Sequence, residues 1–294
     1  MFRYLTVVLA VAMAAAPGNA GAQVKAVDLF RLGAQQLASG RVDQAIESFE
    51  KGVQMKPEAK EGWYNLGVAY GRKHRFTKEV QAYQKAIELD PNYVNALHNL
   101  GLAFRDLGQK DKAIEVLRKA VKLDPGAADA WNNLGVILLD KGDLDGAVGA
   151  FTKAAEAAPS SADSRFNLGI TLMRKAEKET SSERREPVLR KALAAYEDAL
   201  KVDPKYYRAA YNRGVVFHRL GDAESEIQAY RQAIAIRKGY RAALFNLAAA
   251  LSAKGLKDDA VAAWENYIRA ASGDVNETPF VDKARKELKR LKGL

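Results

Sequence analysis

Asparagine residues return at a regular interval along most of this chain of 294 residues. A carboxamide offers one acceptor and two donors, so it can pair with both the carbonyl and the amide of a peptide bond. A row of such side chains on one surface would hold an extended chain by its backbone, with little regard to sequence. The interval is 34 residues, except for one interval of 45. The six asparagines are Asn65, Asn99, Asn133, Asn167, Asn212 and Asn246.

Catalytic chemistry has little support in the same sequence. There is no cysteine, which excludes a thiolate nucleophile, a disulfide and a cysteine-based zinc site. Two of the three histidines, His98 and His218, lie three repeats apart. They cannot share a metal, because stacked helices are about 8 to 10 Å apart. No glycine-rich phosphate loop is present either, so we expect a protein that is not an enzyme and needs no cofactor or metal.

A single repeat, residues 128–161, has the pattern of two helices. Trp131, Leu134 and Leu138 recur at spacings of three and four and form one apolar stripe of a first helix. A second apolar stripe around Phe151 follows a glycine and predicts a second helix. One such hairpin has too little core to offset an ordering cost of roughly 1.5 kcal/mol per residue. The hairpins must therefore stack on one another.

This pattern resembles the tetratricopeptide repeat family, whose unit of 34 residues carries a bulky residue, Leu-Gly, an aromatic, then Ala, an aromatic, Ala and Pro in order. The resemblance runs from Ala26 to about Gly273. It implies an all-α, right-handed superhelix of about seven helical hairpins with a C-terminal capping helix. The predicted units are 26–59, 60–93, 94–127, 128–161, 162–206 with an insert at 176–186, 207–240 and 241–274, followed by the capping helix at 275–294.

In this family the first helices of the hairpins line a concave wall, so the resemblance implies that the six asparagines face a ligand. The row also resembles the asparagine ladder in the superhelical repeat domain of O-linked N-acetylglucosamine transferases. A purely structural role is the alternative, because asparagine is the commonest residue at this position of the family pattern. Aromatic and basic residues at neighbouring wall positions complete the predicted groove: Tyr64, His98, Phe166, Tyr211, Arg72, Arg105, Arg174 and Arg219.

These residues predict a non-catalytic scaffold that binds a protein partner or an extended peptide segment in the groove. The carboxylate clamp of chaperone-binding relatives needs a lysine at the fifth position of a unit, and no unit here has a lysine or arginine there. That activity is therefore disfavoured.

A second hypothesis is binding to an anionic polymer or a membrane surface. The net charge is +10, but basic and acidic residues alternate along nearly every repeat, which disfavours nucleic acid as the partner. The predicted terminal helix is basic, with Phe280, Ala284, Leu288 and Leu291 on one face. It either caps the stack or contacts an anionic surface.

Three departures from the repeat pattern yield further expectations. Glu79 and Glu226 occupy the twentieth position of their units, where the family pattern has alanine. We expect an ion pair between Arg213 and Glu226, and we expect Glu79 to reach toward water. The insert 176–186 predicts a lengthened surface hairpin, with a docking element as the alternative; Thr180 has capping-box spacing and Pro187 can begin the next helix.

The N-terminus has the features of a secretory leader, predicted as residues 1–22. Arg3 precedes an apolar run of twelve residues, 5–16, and a membrane-spanning helix needs about 20. Ala20 and Ala22 fit a cleavage site before Gln23. We expect an exported, periplasmic or secreted protein, with an uncleaved membrane anchor as the alternative.

Overall fold

The computed structural model describes residues 20–293, and it confirms an all-α fold of stacked helical hairpins. In this part of the chain there are fifteen α-helices, one short 3₁₀ helix (η1) and no strand. The helices are α1 Ala20–Ala38, α2 Val42–Met55, α3 Lys60–Arg72, α4 Phe76–Leu89, α5 Val94–Asp106, α6 Lys110–Leu123, α7 Ala128–Lys141, α8 Leu144–Ala157, α9 Ala162–Lys178, α10 Ser182–Val202, α11 Tyr207–Leu220, α12 Ala223–Ile236, α13 Arg241–Ala253, α14 Lys257–Ala271, η1 Val275–Glu277 and α15 Thr278–Lys292.

The predicted leader lies outside the described residues, apart from its last three residues. Ala20 is the first residue of α1, so 20–22 belong to a helix. Within residues 20–293, no helix has both the length and the apolar character needed to cross a bilayer.

The chain divides into two compact units between Asp143 and Leu144. In the first unit, helices α1 to α7 pack in order, each against the next. In the second unit, α8 to α15 do the same. The first helices of successive repeats begin at the residues where the 34-residue period places the unit starts: Lys60, Val94, Ala128, Ala162, Tyr207 and Arg241.

Glycine at the eighth position of a repeat allows the two helices of a hairpin to approach closely. A Cβ atom added at Gly67 would lie 2.6 Å from Cε1 of Tyr83, and one added at Gly214 would lie 2.5 Å from Cε1 of Tyr230. Both distances are too short for real atoms, so each tyrosine ring lies where only a hydrogen fits. This contact fixes the ring of the second helix beneath the first helix of the same repeat.

Lysine–carboxylate pairs connect the turns of neighbouring repeats at a spacing of 30 residues. Lys73 Nζ lies 2.9 Å from Asp43 Oδ2, and Lys254 Nζ lies 2.8 Å from Glu224 Oε1. Lys141 pairs with Asp111, and Lys175 pairs with Asp145, in the same way. All of these pairs are exposed, where an ion pair contributes about 0 to 1 kcal/mol.

The insert 176–186 lengthens both helices of the fifth hairpin. Helix α9 continues to Lys178, and α10 begins at Ser182. The expected cap at Thr180 is wrong: the hydroxyl of Ser181 accepts a hydrogen bond from the backbone N–H of Arg184 at 3.4 Å. Pro187 does not begin the helix but lies within α10.

Helix α15 packs its apolar face on α14, the last helix of the repeats. Ala284 is fully buried, and Val281, Leu288 and Leu291 pack against the same core. Phe280 does not join them; it is half exposed.

Candidate functional site

The six asparagines differ in their exposure to solvent. In the first unit, Asn65 and Asn99 are only 3% and 7% exposed, so they offer almost no surface to a ligand. The other four are partly exposed: Asn133 in the first unit, and Asn167, Asn212 and Asn246 in the second.

The donor groups of three asparagines bind the preceding repeat at an offset of 35 residues. Asn99 Nδ2 donates to Tyr64 Oη at 3.1 Å, and Asn246 Nδ2 donates to Tyr211 Oη at 3.2 Å. Asn133 Nδ2 lies 2.9 Å from Nε2 of His98. These carboxamides therefore connect neighbouring repeats, which is a structural role whether or not a ligand also contacts them.

Asn246 makes one further bond, from Nδ2 to Tyr230 Oη at 3.4 Å. Its hydrogen bonds thus use the two donor hydrogens, and the carbonyl oxygen remains able to accept. Asn212 instead donates Nδ2 to the backbone oxygen of Arg208 at 2.9 Å.

The other predicted groove residues are divided between core and surface. Tyr64 and Phe166 are buried, whereas His98 and Tyr211 are partly exposed. Burial lowers the pKa of the His98 imidazole, because it disfavours the charged form.

Three of the four predicted arginines have partners within the protein. Arg72 Nη1 donates to the backbone oxygen of Leu37 at 2.8 Å. Arg105 Nε donates to Asp106 at 3.1 Å, and Arg219 Nη2 donates to Glu177 at 2.6 Å. Arg174 is exposed. Much of the predicted basic character of the groove is therefore balanced by local partners.

Three tyrosines and one glutamate occupy the same positions of the second and sixth repeats, and in each case the asparagine of the following repeat completes the set. In both places the tyrosine at the fifth position contacts two others, with ring-centroid distances of 5.8 and 5.3 Å in the first unit and 5.7 and 5.2 Å in the second. We call these sets the first cluster, which is Tyr64, Glu79, Tyr83, Tyr93 and Asn99, and the second cluster, which is Tyr211, Glu226, Tyr230, Tyr240 and Asn246.

The two glutamates correct the sequence-based expectations. Glu79 is 1% exposed and does not reach water, because its repeat position faces the neighbouring helix. Glu226 pairs with His218, at 3.1 Å from Oε1 to Nδ1, and not with Arg213. Arg213 lies over the ring of Phe217 and donates to Gln232 at 3.0 Å. Burial raises the pKa of Glu226, and the hydrogen bond from His218 partly opposes that shift.

A cavity of about 400 Å³, which we call the Glu226 cavity, opens beside the second cluster. Ala249 and Ala253 of α13 line it, and they stand at the repeat positions held by Leu102 and Asp106 in α5. Their short side chains leave space next to Glu226. The cavity is lined by His218, Ala223, Glu226, Tyr230, Asn246, Ala249, Ala250, Ala253 and Lys254.

A second cavity of about 280 Å³ lies toward the start of α13, and we call it the aromatic cavity. Phe280 contacts Phe245 edge-on at a centroid distance of 5.8 Å. Arg241 forms an ion pair with Asp274, with 2.5 Å between Nη1 and Oδ2. The lining residues are Tyr211, Arg241, Ala242, Phe245, Asn246, Tyr267, Glu277 and Phe280. Asn246 thus lies in the walls of both cavities.

Sequence reasoning singled out Asn246 and Tyr211 but missed the cavities beside them. Glu226 was noticed only as a departure from the repeat pattern. The available signal was a glutamate where alanine is usual, combined with the short side chains of Ala249 and Ala253 on the following helix.

Metal binding finds no support in the part of the chain that the structure describes. Nowhere among those residues do three histidine, aspartate or glutamate side chains gather as a metal site would require.

Sequence comparison identifies the class of protein. The tetratricopeptide repeat profile matches residues 30–94, 98–174 and 189–240, which is well over half of the chain. The chain belongs to the tetratricopeptide repeat family. Proteins of this family generally bind proteins or peptides and are generally non-catalytic scaffolds.

Solved structures agree with this fold. The chain is similar to MamA, with 26% identity over 59% of this chain and 95% of MamA and a TM-score of 0.52. YrrB, described as a tetratricopeptide repeat protein with an unusual peptide-binding site, is 22% identical over 68% of this chain and 97% of its own, with a TM-score of 0.57. PilF of Pseudomonas aeruginosa is 17% identical over 76% of this chain and 96% of its own, with a TM-score of 0.58. No curated protein sequence matched the chain.

Proposed function

We propose that the protein binds an extended peptide segment of a protein partner along α13 of the second unit, across Asn246. One observation carries the proposal: Asn246 lines both cavities, and its carbonyl oxygen is left to accept because its two donor hydrogens already bind tyrosines. A peptide N–H can bind that carbonyl while its neighbouring side chains enter the cavities. YrrB, a protein of the same fold, is described as having a peptide-binding site.

The dimensions of α13 suit an extended chain. The residues that line the two cavities share one face of the helix, since they recur at spacings of three and four: Ala242, Phe245, Asn246, Ala249, Ala250 and Ala253. From Ala242 to Ala250 the helix rises about 12 Å. An extended peptide covers that distance in about four residues, and residues i and i+4 of a strand point to the same side.

Ligand contact by the other partly exposed asparagines, Asn133, Asn167 and Asn212, stays a prediction. The packing of α15 on α14 argues against insertion of this helix into a membrane, because an apolar face that is buried in the protein cannot also enter a membrane. Binding of an anionic polymer through the basic residues stays a prediction. The predicted leader favours a partner outside the cytoplasm, and N-terminal sequencing of the purified protein tests this: a start at Gln23 is expected.

Peptide display tests the proposed groove. Peptides selected from a random library on the purified protein are expected to lose at least tenfold in affinity for Ala249→Trp, because the indole fills the Glu226 cavity. Ala262→Trp is the matched control, since Ala262 is an exposed alanine on α14 of the same hairpin and lines neither cavity. Equal loss in both variants, or no loss in either, would reject the groove.

A further inference from the structure

We propose that the Glu226 cavity binds the cationic end of a lysine or arginine side chain of the bound peptide. This inference rests on the proposed function and names the chemistry of the partner segment. The carboxylate of Glu226 would form the ion pair, while the methyl groups of Ala249, Ala250 and Ala253 would contact the methylene stem of the side chain.

The carboxylate is held at the cavity wall by one replaceable partner. Glu226 is 7% exposed, and His218 Nδ1 lies 3.1 Å from its Oε1 and 3.2 Å from its Oε2. The His218 side chain is itself 70% exposed, so it can rotate into solvent without breaking the core. An entering ammonium or guanidinium group would take the place of the imidazole.

The basic side chains at or near the cavity already have partners of their own. Lys254 is the one lysine or arginine among the described residues that line it, and its Nζ is bound to Glu224 at 2.8 Å. Arg213 is directed to Gln232, and Arg219 is bound to Glu177. The carboxylate of Glu226 is therefore the charge that a peptide cation would neutralise.

The fold itself does not need a carboxylate at this position. Five of the seven repeats carry alanine there: Ala45, Ala113, Ala147, Ala192 and Ala260. In the first cluster the equivalent Glu79 is covered, whereas Glu226 faces the cavity. Burial disfavours the charged form of Glu226. A desolvated carboxylate that faces a cavity, and that the repeat pattern does not require, is a feature of functional sites.

A defined peptide probe tests the inference. The probe is a dye-labelled octapeptide of alanine and glycine with one phenylalanine, for the aromatic cavity, and one lysine four residues away, made in both orders. Its controls replace the lysine by norleucine or by glutamate. Fluorescence anisotropy at low salt is expected to show that wild-type protein binds the lysine peptide at least tenfold more tightly than the norleucine peptide. The glutamate peptide is expected to bind more weakly still.

Two matched variants assign the preference to one carboxylate. Glu226→Gln is expected to reduce the lysine preference to less than twofold, whereas Glu79→Gln, which changes the same repeat position in the first cluster, is expected to retain it. Circular dichroism melting checks that both variants are folded.

The outcomes separate the two proposals. If wild-type protein binds the lysine and norleucine peptides equally, the inference is overturned and the peptide groove stands. A preference that survives Glu226→Gln also overturns it. If no peptide binds while Ala249→Trp leaves the display-selected peptides unaffected, both proposals fail.

Discussion

The first and second clusters match residue for residue, yet Glu79 is only 1% exposed, whereas Glu226 lies in the wall of a cavity. The tyrosine–asparagine bonds are alike, at 3.1 Å for Asn99 and 3.2 Å for Asn246. The helix that follows differs as well: α5 carries Leu102, which is 5% exposed, at the repeat position where α13 carries Ala249, which lines the cavity. We infer that the five residues of a cluster do not make a site by themselves, because the side chains of the following helix decide whether a ligand can reach them.

Exchanging the facing residues should have the largest effect. Leu102 is 5% exposed, so Leu102→Ala is expected to lower the free energy of unfolding by about 2 to 5 kcal/mol, through lost burial and an unfilled cavity. Ala249→Leu extends into open space and is expected to change stability by less than about 0.5 kcal/mol, while it lowers peptide affinity at least tenfold. Urea unfolding and fluorescence anisotropy measure the two effects. If Leu102→Ala changes the free energy of unfolding as little as Ala249→Leu does, the side chains of the following helix do not explain the difference between the clusters.

Removing the tyrosine–asparagine hydrogen bond should produce a smaller difference in stability between the two clusters. Asn99→Ala takes a donor away from the buried hydroxyl of Tyr64, which is expected to cost about 1 to 3 kcal/mol. Asn246→Ala acts beside a cavity that water can enter, so we expect less than about 1 kcal/mol. Urea unfolding compares the two variants. Equal losses would show that the second cluster is as closed to water as the first.

The smallest expected effect is a pH dependence confined to the second cluster. Because burial raises the pKa of Glu226 above its usual value of 4.5, the native state binds more protons than the unfolded state just above that value. The contribution of this residue to stability is therefore fully present below pH 4.5 and is lost as the pH rises through the folded pKa.

The free energy of unfolding, measured across this pH range, should accordingly fall in the wild-type protein, and this fall should be absent from Glu226→Gln. His218→Gln should enlarge the fall, because the imidazole opposes the shift. The other charged or titratable groups at the cavity are Tyr230, Lys254 and Glu224. An unchanged profile in Glu226→Gln would place the titration on another residue.

Much of the fold could be predicted from the sequence because each helix depends on neighbours in sequence and on the 34-residue period. The starts at Lys60 and Tyr207 follow from the preceding turn and from the apolar spacing within one unit. The partner of Glu226 could not be predicted in this way. The expected partner, Arg213, instead contacts Gln232 and the ring of Phe217, and His218, five residues further along α11, reaches the carboxylate.

The sequence by itself determined the pairs of helices, their order and the regular return of asparagine, since these rest on local spacing and on a repeat that applies equally to every unit. Only the tertiary structure decided which of the equivalent residues are covered. Asn99 and Asn246 have the same place in the period, yet Asn99 is buried and Asn246 is partly exposed. Exposure depends on the volume of side chains that face each other across the stack, and a one-dimensional period does not contain that information.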